Sequence, residues 1–168
     1  MLRQIIKTAC LFAGALAKAN ANASNMVVTM FSDNAKNHSI NTNNSILSIS
    51  ADLESKVYGG GTNLEAALAM KDKLGFEPDT IVVLSDMEVN QLRGGTVPKT
   101  FCPDAIKIAI NLNSRDSTPI GEKAGWYQLA GWSEKLFDFI PAMRDGVTVV
   151  ETLSKPYLGY NGVKRLFS

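Results

Sequence analysis

The stretch Asp79–Glu88, DTIVVLSDME, constrains the fold more than any other part of the chain. Ile81, Val82, Val83 and Leu84 form an unbroken apolar run rich in β-branched residues. A strand with one wet face alternates apolar and polar residues. An unbroken run has no wet face, which marks a strand of a parallel sheet covered on both sides. Parallel strands need crossover connections of helical length. Met26–Phe31, MVVTMF, is a second continuous run, broken only by Thr29. Ala105–Leu112 and Val147–Leu153 read as further strands.

Helical segments fall between these runs. Ser45 is placed to cap a helix that continues through Leu53. Asn63–Leu74 reads as a helix with Leu64, Ala67, Leu68 and the stem of Lys71 on one face, and Gly75 stands where a C-cap belongs. Ser133 can cap a helix over Glu134–Met143 that buries Leu136, Phe137 and Ile140. The polar stretch NAKNHSINTNNS is a loop with room for a short edge strand near Ser39–Thr42. VNQLRGGTVPKTFCP reads as a loop or a partial helix, and SRDSTPIGEKAGWYQLAGW as a long excursion rich in turn residues. Strands alternating with helices predict an α/β fold with a mainly parallel, Rossmann-like sheet and helices on both faces.

The 168 residues suit one compact domain, expected over residues 1–153, with residues 154–168 as a surface tail. Two readings fit the first 24 residues. Arg3 and Lys7, an apolar run, and Ala19-Asn20-Ala21 outline a secretory signal. Leu2, Ile5, Ile6, Ala9, Phe12, Ala13 and Leu16 also follow the rhythm of one buried helical face, and the helix is the favoured reading. A retained helix implies a cytoplasmic protein and a cleaved signal implies a secreted one. The apolar run is too short to span a bilayer.

Charge and cysteine content exclude several function classes. A formal charge of +1, with no run of five basic residues, gives no global attraction to nucleic acid or to an anionic membrane. Cys10 and Cys102 form neither a disulfide framework nor a zinc motif. The single histidine, His38, cannot build a histidine metal cluster, and no matching nucleophile and carboxylate accompany it. An enzyme is therefore not expected.

On open α/β sheets ligands bind beyond the C-terminal strand ends. That rule singles out Asp33, Asp86, Asn113 and the glycine loop Gly59-Gly60-Gly61-Thr62. The loop lacks the Gly-Lys-Ser/Thr ending of a phosphate loop and the third glycine of a dinucleotide loop. A tight turn with Thr62 as helix N-cap explains much of it. Asp86 ends an apolar strand, where a carboxylate is cheap only beside water, a helix N-terminus or a cation. Glu88 could reinforce a cation site, though a surface charge is the simpler reading. Asp33 lies among asparagine-rich turns, which favours a turn role over a ligand role. Trp126, Tyr127 and Trp132 can stack bases, but no RNA-binding motif accompanies them and a core or interface role is preferred.

Taken in order, GGGTNLEAAL and TIVVLSDMEVN resemble a von Willebrand factor A domain. VVTMFSD (Val27–Asp33), the LSD at Leu84–Asp86 and GWYQLAGWSEKLFDFI (Gly125–Ile140) make the chain most similar to the A domain of TROVE proteins, the Ro ribonucleoprotein family. The resemblance covers about Leu2–Leu153. It implies a metal-ion-dependent adhesion site in which three loops hold Mg²⁺ or another divalent cation through oxygen donors. Thr62 matches the second-loop threonine and Asp86 the third-loop aspartate, with Glu88 as an additional candidate. The first loop, an Asp-x-Ser-x-Ser motif after the first strand, has no counterpart in the sequence, and FSDNAKNHS has the wrong position and spacing to replace it.

In the family's strand order, 3-2-1-4-5-6, that first strand is central. The resemblance therefore implies an incomplete sheet, a weak cation site at best, and a fragment completed by the upstream half of a split protein. It also implies a parent ribonucleoprotein that binds small structured RNA through a ring of helical repeats, none of which is in this sequence. RNA binding is accordingly assigned to no residue. The expected function is a non-enzymatic binding or assembly module, with a secreted adhesion domain and a small α/β enzyme as alternatives.

Overall fold

The structure is a computed structural model, and it describes residues 2–21, 26–86, 97–98, 100–112, 120 and 125–130. The protein is mixed α/β, with an antiparallel strand pair, a three-stranded parallel sheet and three α-helices among the described residues. It divides into two compact units. One comprises Met1–Glu77 with Glu88–Gly95, and the other Pro78–Met87 with Thr96–Ser168.

The first unit begins with α1 (Leu2–Ala19). Cys10, Phe12, Leu16 and Ala17 are buried on it, while Arg3, Gln4, Lys7 and Lys18 are exposed. Of the expected face, Phe12 and Leu16 are buried and Ile5, Ile6, Ala9 and Ala13 half-buried, while Cys10 and Ala17 extend the buried stripe beyond it. The helix packs on α2 (Ile46–Ser55). Gly14 marks the close approach. A Cβ there would stand 3.1 Å from Ile46 O and 3.4 Å from Ile49 Cγ2. Cys10, Ile49 and Leu53 form the core of this contact, with Ile6, Ala13, Val28, Met30, Ile40 and Val57 packed around it. Ser45 is the N-cap of α2, its side chain accepting the Ser48 amide at 3.2 Å.

Strands β1 (Val27–Phe31) and β2 (Ala35–Ser39) form an antiparallel hairpin, in register from Val27↔Ser39 to Phe31↔Ala35. The edge strand expected near Ser39–Thr42 thus lies four residues earlier, because the three-residue turn Ser32-Asp33-Asn34 sends the chain straight back. Val28 and Met30 face the α1–α2 core. Thr29 and Asn37 pair across the opposite face, Thr29 Oγ1 donating to Asn37 Oδ1 at 2.6 Å. On that face lie α3 (Leu64–Ala69) and the 3₁₀ turn Met70–Lys73, whose Met70 carbonyl accepts from Asn37 Nδ2 at 3.4 Å.

Two corrections concern α3. Its N-cap is Asn63 and not Thr62. Asn63 Oδ1 accepts the Ala66 amide at 2.9 Å, so asparagine supplies the acceptor that an N-terminus requires. The α-helix also stops at Ala69 and tightens into the 3₁₀ turn, short of the expected Leu74. Gly75 follows at φ 74°, a left-handed conformation that glycine adopts at little cost.

The second unit holds β3 (Thr80–Ser85), β4 (Ile106–Asn111) and β5 (Tyr127–Ala130), all parallel, in the order β3-β4-β5. The unbroken apolar run is therefore a parallel strand, as expected. β4 is central and buried from Lys107 to Asn111. Ile108, Ala109 and Ile110 are fully covered, and Val83, Val97, Ile120, Trp126 and Leu129 join this core. β5 falls inside the stretch whose sequence predicts a turn-rich excursion. Four residues with Gln128 in the middle carry too little apolar signal to stand out beside Gly125 and its neighbours. Trp126 is in the core, stacked on Phe101 with ring centroids 6.5 Å apart. Tyr127 is exposed on the strand. Trp132, the expected helix at Glu134–Met143 and the expected strand at Val147–Leu153 lie outside the described residues.

Among the described residues, β1 has one strand partner, β2, and β3 has one, β4. No helix among them is long and apolar enough to cross a membrane.

Candidate functional site

The glycine loop is built against the hairpin turn. Tyr58 to Asn63 runs beside Ser32-Asp33-Asn34, and hydrogen bonds join the two segments along their length. Tyr58 hydroxyl reaches the carbonyls of Asn34 at 2.9 Å and Met30 at 3.2 Å. Ser32 Oγ donates to Gly59 O at 3.2 Å. Gly61 N–H donates to Asp33 Oδ1 at 2.6 Å. The Asn63 amide donates to Ser32 O at 2.6 Å, and Asn63 Nδ2 to Asp33 O at 3.0 Å. The turn is closed on itself by Ser32 N–H donating to Asn34 O at 2.8 Å.

Each glycine has a different standing in this arrangement. Gly60 sits at φ 140°, and a Cβ there would collide with the Asp33 carboxylate. Glycine is required at that position on both counts. A Cβ at Gly59 would meet open space. Gly61 contributes its amide to Asp33. The chemistry follows from the charge. A loop amide that would attract a phosphate is already bonded to a carboxylate of the same chain, and that negative charge repels an incoming anion. The loop is a clamp on the hairpin and a poor phosphate cradle.

Thr62 follows the clamp, half-buried, between Gly61 and the N-cap Asn63 in the first unit. Asp86 belongs to the second unit, immediately past β3 and half-buried. The strand end that carries it is held by Leu112 N–H donating to Ser85 O at 2.9 Å, and Ser85 pairs with Asn111. Glu88 and Asn113 lie outside the described residues. Among the described residues no group of three or more His, Cys, Asp or Glu side chains could hold a metal ion.

Three further side chains of the described residues, Cys10, His38 and Lys107, are enclosed in part or in full. Cys10 is buried against α2. Burial, reinforced by the Glu54 charge, pushes its thiol up to about 11, which keeps it protonated and unreactive. His38 Nε2 is buried without a hydrogen-bond partner. Burial pulls its pKa below the usual histidine value, Lys56 and Lys36 add to the shift, and Asp52 opposes it. Lys107 is buried in the middle of β4, its Nζ donating to Phe101 O and Cys102 O at 3.0 Å each. It fastens the segment before β4, where Cys102 takes φ 42°.

Sequence reasoning placed Asp33 correctly in a turn but missed its partner. The contact with Gly61 spans 28 positions, and no local pattern announces it. Lys107 did leave a signal, a lone charge inside AIKIAIN. No family model matches the chain, and neither a curated protein nor a solved structure matches it.

Proposed function

We propose that the chain is a non-enzymatic binding and assembly module of the von Willebrand A type, of the TROVE/Ro kind, with a reduced metal-ion-dependent adhesion site. The strand pairing supports this reading. The family order 3-2-1-4-5-6 without its first strand leaves the pair 3-2 and the triplet 4-5-6. The protein has an antiparallel pair β2-β1 and a parallel triplet β3-β4-β5. On this reading β1 and β3 are the two strands that flank the absent one. Each then carries a row of backbone groups free to pair with an incoming strand.

The partner that fits is a polypeptide segment with an apolar strand followed by Asp-x-Ser-x-Ser, the upstream half of a split protein. Its strand would add main-chain hydrogen bonds, the physics of β-strand addition. Its loop would add the carboxylate and hydroxyls that Thr62 and Asp86, with Glu88 alongside, do not provide by themselves. Small structured RNA enters only as the ligand of the parent ribonucleoprotein.

Co-expression tests the reading. A segment of that pattern, encoded upstream, is expected to copurify with the chain and raise its soluble yield. A segment that neither binds nor improves solubility would count against the missing strand and against the A-domain reading with it.

A further inference from the structure

We propose that Asp33 is the positioning residue of the glycine loop: its carboxylate, carried on the hairpin turn, fixes the backbone at Gly60–Gly61 and thereby sets how Thr62 is presented. The clamp stands on contacts within the first unit. Only the use made of Thr62 rests on the cation-site reading above.

Three observations converge on the carboxylate. Oδ1 accepts the Gly61 amide at 2.6 Å, a charge-assisted bond of the stronger kind. The same carboxylate occupies the space a Cβ at Gly60 would need, so the residue that anchors the loop also dictates a glycine in it. The carboxylate is delivered from a fixed point, because the backbone of its turn is tied to the far side of the loop. Ser32 O and Asp33 O take the amide and side-chain N–H groups of Asn63, and Ser32 Oγ reaches Gly59 O. Asn63 in turn caps α3. Thr62 is therefore held between a bonded amide before it and a doubly bonded cap residue after it. The glycines admit the conformation, and Asp33 selects it.

Amide hydrogen exchange measured by NMR on the full chain tests this with three variants. Asp33→Ala is expected to speed Gly61 exchange by about tenfold or more, the loss of one charge-assisted hydrogen bond. Asp33→Asn keeps an oxygen acceptor in the same place and is expected to recover most of the protection. Gly60→Ala is expected to behave like Asp33→Ala, because its methyl group evicts the side chain. The amides of Ile49 and Leu53 report that the α1–α2 core remains folded in each sample. Unchanged Gly61 protection in Asp33→Ala over an intact core overturns the proposal, as does an Asp33→Asn variant no better protected than Asp33→Ala. If Asp33→Ala does not fold, Asp33→Asn with wild-type Gly61 protection and Gly60→Ala without it support the clamp, and any other pairing overturns it. Adding Mn²⁺ to the same samples separates the two readings. Broadening of the Thr62 amide that weakens in Asp33→Ala extends the clamp to the cation site. No broadening in the wild type confines the proposal to the clamp, which the Gly61 result decides.

Discussion

β1 and β3 carry nearly the same sequence signature and occupy opposite kinds of sheet. Val27–Phe31 pairs antiparallel with a polar strand, Ala35–Ser39, across a three-residue turn. Thr80–Ser85 pairs parallel with Ile106–Asn111, a strand of the central core. Both are apolar runs, Val27–Phe31 interrupted only by Thr29, and both read as buried strands in the sequence. β1 earns its apolar run differently. It has α1 and α2 on one face and α3 with the 3₁₀ turn on the other. An unbroken run reports cover on both faces and says nothing about the direction of the neighbour. Direction is set by the connection, and three polar residues permit only a hairpin.

The comparison breaks most visibly in the two cores. Phe12 on α1 and Ile108 on β4 are both fully buried, one in each unit. Phe12→Ala is expected to cost about 3–5 kcal/mol and Ile108→Ala about 2–5 kcal/mol in denaturant titrations. The Phe12 result also bears on the signal reading. A removable leader would be dispensable to the mature fold, so a loss well under 1 kcal/mol would argue that α1 is not part of the working core. Next in size is Lys107, the one charged residue inside the apolar strand β4. Lys107→Met keeps the length of the side chain and removes its donors from the Phe101 and Cys102 carbonyls. A destabilisation of about 1–3 kcal/mol is expected from stranding a buried acceptor. A neutral Lys107→Met with a costly Lys107→Ala would instead assign the role to packing.

A smaller effect belongs to the hairpin and depends on pH. His38 is held below its ordinary pKa, first by burial and then by Lys56 and Lys36. The folded state therefore resists protonation while the unfolded chain accepts it at about 6.5. Stability contributed by neutral His38 is complete above that value and declines as pH falls from there toward the folded-state pKa. Denaturant titrations between pH 7.5 and 5 (~2.5 units, spanning the histidine range) are expected to show this decline, and His38→Gln is expected to flatten it. An equal slope in wild type and variant would place the pH dependence on other groups.

Legibility in the sequence followed the range of the signal. β3, β4, α1 and α2 were readable because each carries its pattern within a dozen or so residues. β5 was lost to its shortness, and β2 was displaced because a polar strand has no apolar alternation to fix its register. The N-cap of α3 fell one residue from the expected Thr62, within the usual uncertainty of helix ends. The glycine loop was visible as a loop. Its cause was not, since Asp33 and Gly61 meet through the fold and each alone is an ordinary turn residue.

The smallest expected effect concerns the proposed cation site, which would draw on a loop built by a hairpin and a strand end built by a parallel sheet. On the proposed reading Thr62 would contribute one neutral hydroxyl and Asp86 one carboxylate, where Mg²⁺ demands near-octahedral oxygen coordination and gives up its waters reluctantly. Two protein donors would leave most of that shell as water, so the free energy gained over the hydrated ion would be slight. Calorimetry on the isolated chain is expected to show no tight Mg²⁺ binding, and Thr62→Ala and Asp86→Ala to change the heats little. With a segment that supplies Asp-x-Ser-x-Ser, the donor count rises, and Mg²⁺ affinity is expected to appear and to be lost again in Asp86→Ala. Micromolar binding by the chain alone (~8 kcal/mol), abolished by Asp86→Ala, would overturn the proposal that a further segment is needed to complete the site.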